Sequence, residues 1–310
     1  MPSMSGLRRR VRRRSRAVAI DARDAIAVWR ARGALRRIKA GGARTAAVVH
    51  VYYAEVWPYL ESRLTRLGGH EVDVFVTIPR KNRKTIALIH ESFPAARCIV
   101  VPNRGRDVLP FVLVARRLAD IGYEAVLKVH SKKSLHFGGG DQWRDGMLDE
   151  LLPEAPEVLT SILDTLAEPN TGMVGPRSTY FPLSTYWSGN AVAVKALIAP
   201  AVSGEALARL EVPQELGFFA GTMFWTRLDA IRALLDVQAL DFVREPTPKD
   251  GTLAHALERA MPVLPELLGR TQYDCDGTEV AVRPAVAAPI PQWYRAATQA
   301  AVAAERAAKK

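Results

Sequence analysis

From Arg44 onward, short β-branched or aromatic runs alternate with segments of helical period, and this alternation constrains the fold more than any other feature of the chain. The run 46–53 (AAVVHVYY) predicts a buried strand. Pro58, followed by Leu60, Leu64 and Leu67, predicts a helix that stops at Gly68-Gly69. Residues 72–78 predict a second strand, 85–91 a short helix and 98–101 a third strand. A helix capped by Asp107 then runs to Ala119, and 125–129 form a fourth strand. Such repetition implies an α/β domain with a mostly parallel central sheet, helices on both faces and ligands beyond the carboxyl ends of the strands. The second half is less regular. Residues 217–225 predict one Gly-containing apolar strand, 228–235 a helix, and 250–264 a helix with Leu253, Leu257, Ala260 and Leu264 on its core face. His255 lies about 200° from Leu253 on that helix, at ~100° per residue, and so points off the core.

Charge separates the ends from this body. The formal net charge is +11, yet residues 1–40 hold 13 Lys and Arg against 2 Asp, and the remaining chain holds 30 basic and 30 acidic residues. A neutral body lacks the broad basic footprint of a nucleic-acid-binding domain, so no nucleic-acid partner is expected. The arm, 1–42, is rich in Ala and Arg and predicts a basic amphipathic helix. Val18, Ala22, Ala25 and Trp29 make one apolar stripe, and Val28, Ala31, Leu35 and Ile38 continue it with a shift. It can lie on an anionic membrane with Trp29 at the interface, or pack as a solvated helix on its own domain. Asp21, Arg23 and Asp24 break any signal-peptide core, and no apolar stretch approaches 18 residues. Cys98 and Cys275 are widely separated, match no zinc or redox spacing, and read as reduced thiols of a cytoplasmic protein. After Tyr273 the chain becomes Pro-interrupted and Ala-rich without a strand pattern, which sets the domain at 43–272 and a tail at 273–310.

Chemistry-bearing residues gather at strand ends. The third strand leads into Pro102-Asn103-Arg104-Gly105-Arg106-Asp107, which suits either a phosphate beside a helix N-terminus or a Gly-hinged turn with a capping Asp107. The fourth strand ends in Lys128-Val129-His130-Ser131-Lys132-Lys133, with Lys128 and His130 on one face. Burying an unpaired Lys is expensive, so this group reads as an anion cradle. Gly138-Gly139-Gly140 precedes a helix carrying Trp143 and Arg144, a hinge suited to a closing loop. Phe219 and Gly221 lie in the Gly-containing strand opened by Glu215. Asp250 is either the N-cap of the last helix or a general base.

The ordered blocks VHVYYAEVW, VPNRGRDVLPF, VLKVHSKKS, GDQWRDGMLDELL, GMVGP, ELGFFAGTMFW and DGTLAHALER resemble the rhamnan synthesis protein F family over about residues 46–268. That resemblance implies a role in bacterial cell-surface polysaccharide synthesis. It implies a hexosyl-type glycosyltransferase, with rhamnose the expected sugar, moved from a nucleotide-diphospho-sugar donor to a polysaccharide or lipid-linked glycan acceptor. The alternative is a non-catalytic glycan- or nucleotide-binding module of the same assembly. The block order is also similar to a GT-A glycosyltransferase, a Rossmann-related single domain. Such enzymes carry an Asp-x-Asp metal motif where this chain has Lys128-Val129-His130, which leaves a divalent metal without its usual ligands. Asp274-Cys275-Asp276 has the spelling but lies outside the blocks. Glycosyl transfer needs cations for the departing diphosphate and a base for the acceptor hydroxyl. The expected diphosphate set is Asn103, Arg104, Arg106, Asp107, Lys128, His130, Lys132 and Lys133. The expected base is Asp250, with Glu215 and His255 behind it, and Trp143, Arg144, Phe219 and Gly221 stand on the acceptor side. Together with the basic arm, this places the chain in the cytoplasm, peripherally on the inner face of the plasma membrane.

Overall fold

The computed structural model describes residues 22–79, 82–131, 140–185, 187–248 and 250–284. Residues 22–36 form a helix, α1. The body then runs β1 (Thr45–His50), α2 (Trp57–Leu64), β2 (Val72–Ile78), α3 (Arg83–Ser92), β3 (Arg97–Val100), α4 (Val108–Asp120) and β4 (Ala125–His130). It continues through α5 (Gly140–Leu151), α6 (Pro156–Ala167), β5 (Thr171–Pro176), β6 (Tyr180–Pro182), α7 (Ala191–Ile198), α8 (Gly204–Ala208) and β7 (Gly217–Phe219). The last elements are β8 (Phe224–Arg227), α9 (Leu253–Leu267), β9 (Thr271–Cys275) and β10 (Val280–Val282).

Eight strands form one sheet in the order β10-β9-β5-β8-β4-β1-β2-β3, and β6 and β7 pair in a small second sheet. Only β8 and β10 oppose the common direction of the large sheet. The α/β class and the mostly parallel sheet expected from the alternation are therefore present. Period-2 side chains divide the core into two layers. Ala46 and Val48 of β1 face a layer shared with α1, α4, α7 and α9, whereas Ala47 and Val49 face α2, α5 and α6. The order 3-2-1-4 reverses between β1 and β4, the switch point at which such sheets bind ligands.

Three expectations change. The apolar run 217–225 is two strands: β7 pairs with β6, and β8 joins the large sheet. Gly221 and Thr222 separate them with positive φ angles of 100° and 54°. Residues 228–235 form no α-helix; a 3-10 segment covers Arg232–Asp236. The domain also extends past 272, because β9 pairs with β5 and β10 returns along β9. Buried Cys275 and half-buried Tyr273 pack on the core, a contribution that a Pro- and Ala-weighted reading overlooked. Of the two readings of the arm, α1 follows the second in packing on its own domain. Val28, Ala31, Leu35 and Ile38 are buried against the body, and Arg117 donates to the carbonyls of Leu35 and Ile38. The rest of the arm and most of the expected tail lie outside the described residues.

Candidate functional site

A cavity of about 350 Å³ opens at the carboxyl ends of β1, β3 and β4 and is closed on its far side by the 221–222 turn and the start of α9. β1 contributes His50, with Tyr52 and Tyr53 just beyond it, and β4 contributes His130 and Ser131. Ser131 ties the two strand ends together: its Oγ accepts from the backbone N–H groups of Tyr52 at 2.8 Å and Tyr53 at 2.9 Å. The loop after β3 adds Asn103, Arg106 and Asp107, and α9 adds His255 and Glu258.

Asp107 is the keystone. It stands at the N-cap position of α4 but makes no side-chain cap bond. Its Oδ2 instead accepts from Lys128 Nζ and from Thr222 Oγ1 at 3.0 Å, and lies 3.5 Å from His130 Nδ1. Burial alone would push this carboxyl up, but the charges of His130 and Lys128 overcome it and hold Asp107 well below the usual carboxylate range. Lys128 is 1% exposed. It also donates to the Thr222 carbonyl at 2.6 Å and sits beside the Phe111 and Phe224 rings. This cluster explains the unusual backbone. A β-branched residue at positive φ is strained, and Thr222 holds that conformation because both its hydroxyl and its carbonyl serve the buried pair. His50 donates to or accepts from Thr77 Oγ1 at 2.9 Å, and burial pushes it down to about 4, so it is neutral at pH 7.

The loop geometry is equally determined. Gly105 has φ +61°, and a Cβ there would lie 2.3 Å from the Phe242 ring. Arg106 follows with φ 55°, its N–H donating to Glu245 Oε1 at 3.1 Å. Its guanidinium donates to Thr247 Oγ1 and the Pro248 carbonyl, both at 3.0 Å. On α9, Glu258 Oε1 accepts from the Gly221 N–H at 3.1 Å. Burial, with Arg106 close by, lowers the His255 pKa.

The structure therefore brings Asn103, Arg106, Asp107, His130, Gly221 and His255 together and leaves the other expected residues that it describes elsewhere. Lys128 stands behind the wall, engaged by Asp107, and is not an open anion cradle. Arg104 turns away to Asp24 of α1 at 2.7 Å and to the carbonyls of Phe242 and Leu240. Asp250 is not the cap of α9; Thr252 is. Asp250 accepts from Asn190 Nδ2 at 2.9 Å, lies 3.8 Å from Arg259, and does not line the cavity. Glu215 is exposed on the loop before β7. Arg144 is buried on Asp145 and the Tyr59 ring, Trp143 packs against both core layers, and Phe219 packs on Tyr180. Lys132, Lys133 and the Gly138–Gly139 hinge lie outside the described residues. Sequence reasoning missed Glu245 and Glu258. The second was readable, since 255 and 258 share a helix face. Among the described residues, no group of three or more His, Cys, Asp or Glu side chains is arranged to hold a metal ion.

Comparison with known proteins places the chain. A solved mannosyltransferase, PcManGT from Pyrobaculum calidifontis in complex with GDP-Man and Mn2+, is similar at 17% identity and a TM-score of 0.36, with 94% of this chain and 86% of that one covered. Two relatives described as uncharacterized protein WxcX, from two strains of Xanthomonas campestris pv. campestris, are 35% identical over 216 residues. Those residues are 68% of this chain and 30% of the relatives, so the chain spans less than a third of their length. The rhamnan synthesis protein F profile matches residues 32–266, from the docked half of α1 to the end of α9. The chain belongs to the rhamnan synthesis protein F family.

Proposed function

We propose that the chain is a glycosyltransferase of cell-surface polysaccharide synthesis, using a nucleotide-diphospho-sugar donor. The observation that carries this reading is the convergence, in one cavity at the β1/β4 switch point, of a cation (Arg106), a helix N-terminus (α9) and a carboxylate (Glu258). Transfer breaks the bond between the anomeric carbon and the diphosphate oxygen, and forms a bond from that carbon to the acceptor oxygen. Arg106 and the α9 N-terminus face the charge that develops on the departing nucleoside diphosphate. Glu258 takes the proton from the acceptor hydroxyl, a role for which it replaces Asp250 because it lines the cavity. An adjoining cavity of about 290 Å³ shares Tyr52 and Asn103 and reaches Asn82 and Thr85 at the start of α3; we assign the nucleoside to it. Rhamnose is the sugar we assign, from the family name. Incubating the chain with a panel of nucleotide-sugars and a surface-glycan acceptor should release nucleoside diphosphate with one donor. Binding without release would leave a non-catalytic module, and absence of binding would remove the reading.

The arm supports a membrane setting. With Val28, Ala31 and Leu35 docked, the opposite face of α1 presents Trp29 (67% exposed) and Ile26 (48%), flanked by the exposed Arg30 and Arg32. An aromatic bordered by arginines suits the surface of an anionic bilayer. No described helix is long and apolar enough to cross one. We assign the chain to the inner face of the plasma membrane, meeting lipid through this face and the preceding basic residues. Removing residues 1–40 would also remove Asp24 from Arg104, so Trp29→Ala is the cleaner probe. It should weaken binding to anionic vesicles and leave donor binding unchanged; equal vesicle binding would overturn the assignment.

A further inference from the structure

The N-cap of α9 is a capping box with an unusual closing residue. Thr252 Oγ1 accepts from the His255 backbone N–H, and His255 Nδ1 accepts from the Thr252 N–H at 3.3 Å. A Glu or Gln oxygen commonly plays that second part. Thr252 Oγ1 lies 2.8 Å from the same ring nitrogen, where its O–H also donates. A nitrogen used as an acceptor carries no proton, so the one proton of the neutral ring sits on Nε2. His255 is 6% exposed and lines the cavity, and its Nε2 is buried with no hydrogen-bond partner. A buried donor without an acceptor is costly, and a bound ligand is the acceptor this one lacks.

The surroundings select the ligand's chemistry. α9 is fifteen residues long, and its N-terminal N–H groups and dipole favour negative charge. Arg106 stands at the same rim, held there by Thr247 and Pro248. The carboxylates that face this space are each engaged: Glu258 by the Gly221 N–H with Arg259 at 3.6 Å, Glu245 by the N–H groups of Arg106 and Thr247, and Asp107 by Lys128. We propose that His255 Nε2–H donates to a phosphate oxygen of the donor's diphosphate, seated between the α9 N-terminus and Arg106. The proposal rests on the nucleotide-sugar reading above, and it makes His255 a neutral donor to the ligand instead of a base.

Two measurements test it. Imidazole nitrogen correlation spectra of the whole chain should show His255 as the Nε2–H tautomer, and inorganic pyrophosphate should shift that proton and its nitrogen. His255→Met is uncharged, keeps a weak thioether acceptor near the Thr252 N–H and carries no donor in place of Nε2–H. It should stay folded and bind pyrophosphate, UDP, GDP or dTDP roughly five- to tenfold more weakly, the scale of one hydrogen bond. A proton on Nδ1, an Nε2 signal unmoved by pyrophosphate, or wild-type pyrophosphate affinity in a folded Met variant would each overturn the proposal. If the Met variant does not fold, the wild-type titration decides alone. His255-dependent pyrophosphate binding without turnover of any nucleotide-sugar would uphold this subsite and overturn the glycosyltransferase reading instead.

Discussion

Two ion clusters lie at the same end of the large sheet, and they are built in opposite ways. At β4, one carboxylate, Asp107, serves Lys128, Thr222 and His130 in near-complete burial. At the ends of β5 and β9, one cation, Arg177, serves Asp274 at 2.6 Å, Asp276, and Glu279 at 3.3 Å, with two of those three partners substantially exposed. The first cluster borders the cavity and fixes the strained 221–222 turn, whereas the second clamps a β-hairpin. Formal charge at a strand end is thus a poor guide to function. Where that charge goes depends on how much water remains and on what the backbone must be held to do. Asp274-Cys275-Asp276 shows the point: its Asp-x-Asp spelling serves Arg177.

The sharpest way to break the comparison is to remove a cation from each cluster. Lys128→Ala leaves Asp107 buried without its cation and should cost about 3–5 kcal/mol in urea unfolding, the scale for breaking a buried pair. Lys128→Met combined with Asp107→Asn should recover much of that loss. A Lys128→Ala cost below about 1 kcal/mol would mean the pair is not structural.

An intermediate effect belongs to Glu150 of α5, beside the second cluster. Burial pushes its carboxyl up to about 7, against the hydrogen bonds that Ser178 donates to it. A folded pKa above the ordinary value near 4.5 stabilises the fold fully below that value, and the contribution is lost as pH rises through about 7. Glu150→Gln should therefore stabilise the chain at pH 8, by about 1–3 kcal/mol after solvent screening, and be nearly neutral at pH 4. The same gain at both pH values would contradict this account. The smallest effect is expected from Arg177→Ala, on the order of 1 kcal/mol and shrinking with salt, because most of its partners are wet.

The first four strands and their helices were legible because period and punctuation are local. So was the oddity of Lys128, a cation in a fully buried strand. Its partner was not legible as a partner: Asp107 looked like a helix cap, and only the fold brings it to Lys128. Arg104 illustrates the same limit, since Asp24 is 80 residues away in sequence. Glu245 reaches the Arg106 N–H across 139 residues. The split of 217–225 depends on backbone angles at Gly221 and Thr222 that the buried Lys128 imposes, which no propensity reports. The two stripes of the arm were visible as a shift in register. That one stripe docks while Ala22, Ala25 and Trp29 of the other face outward is a tertiary fact.

The central claim is that the cavity at the β1/β4 switch point is where transfer occurs. The direct measurement compares sugar transfer by Glu258→Gln, which alters the cavity wall, with transfer by Asp250→Asn, which alters a carboxylate outside it. The account predicts that Glu258→Gln binds donor normally yet loses roughly a hundredfold or more in transfer, the scale of a lost general base, while Asp250→Asn stays close to wild type. Full activity in Glu258→Gln with a large loss in Asp250→Asn would contradict it and move the chemistry out of this cavity, to Asp250 and its partner Asn190.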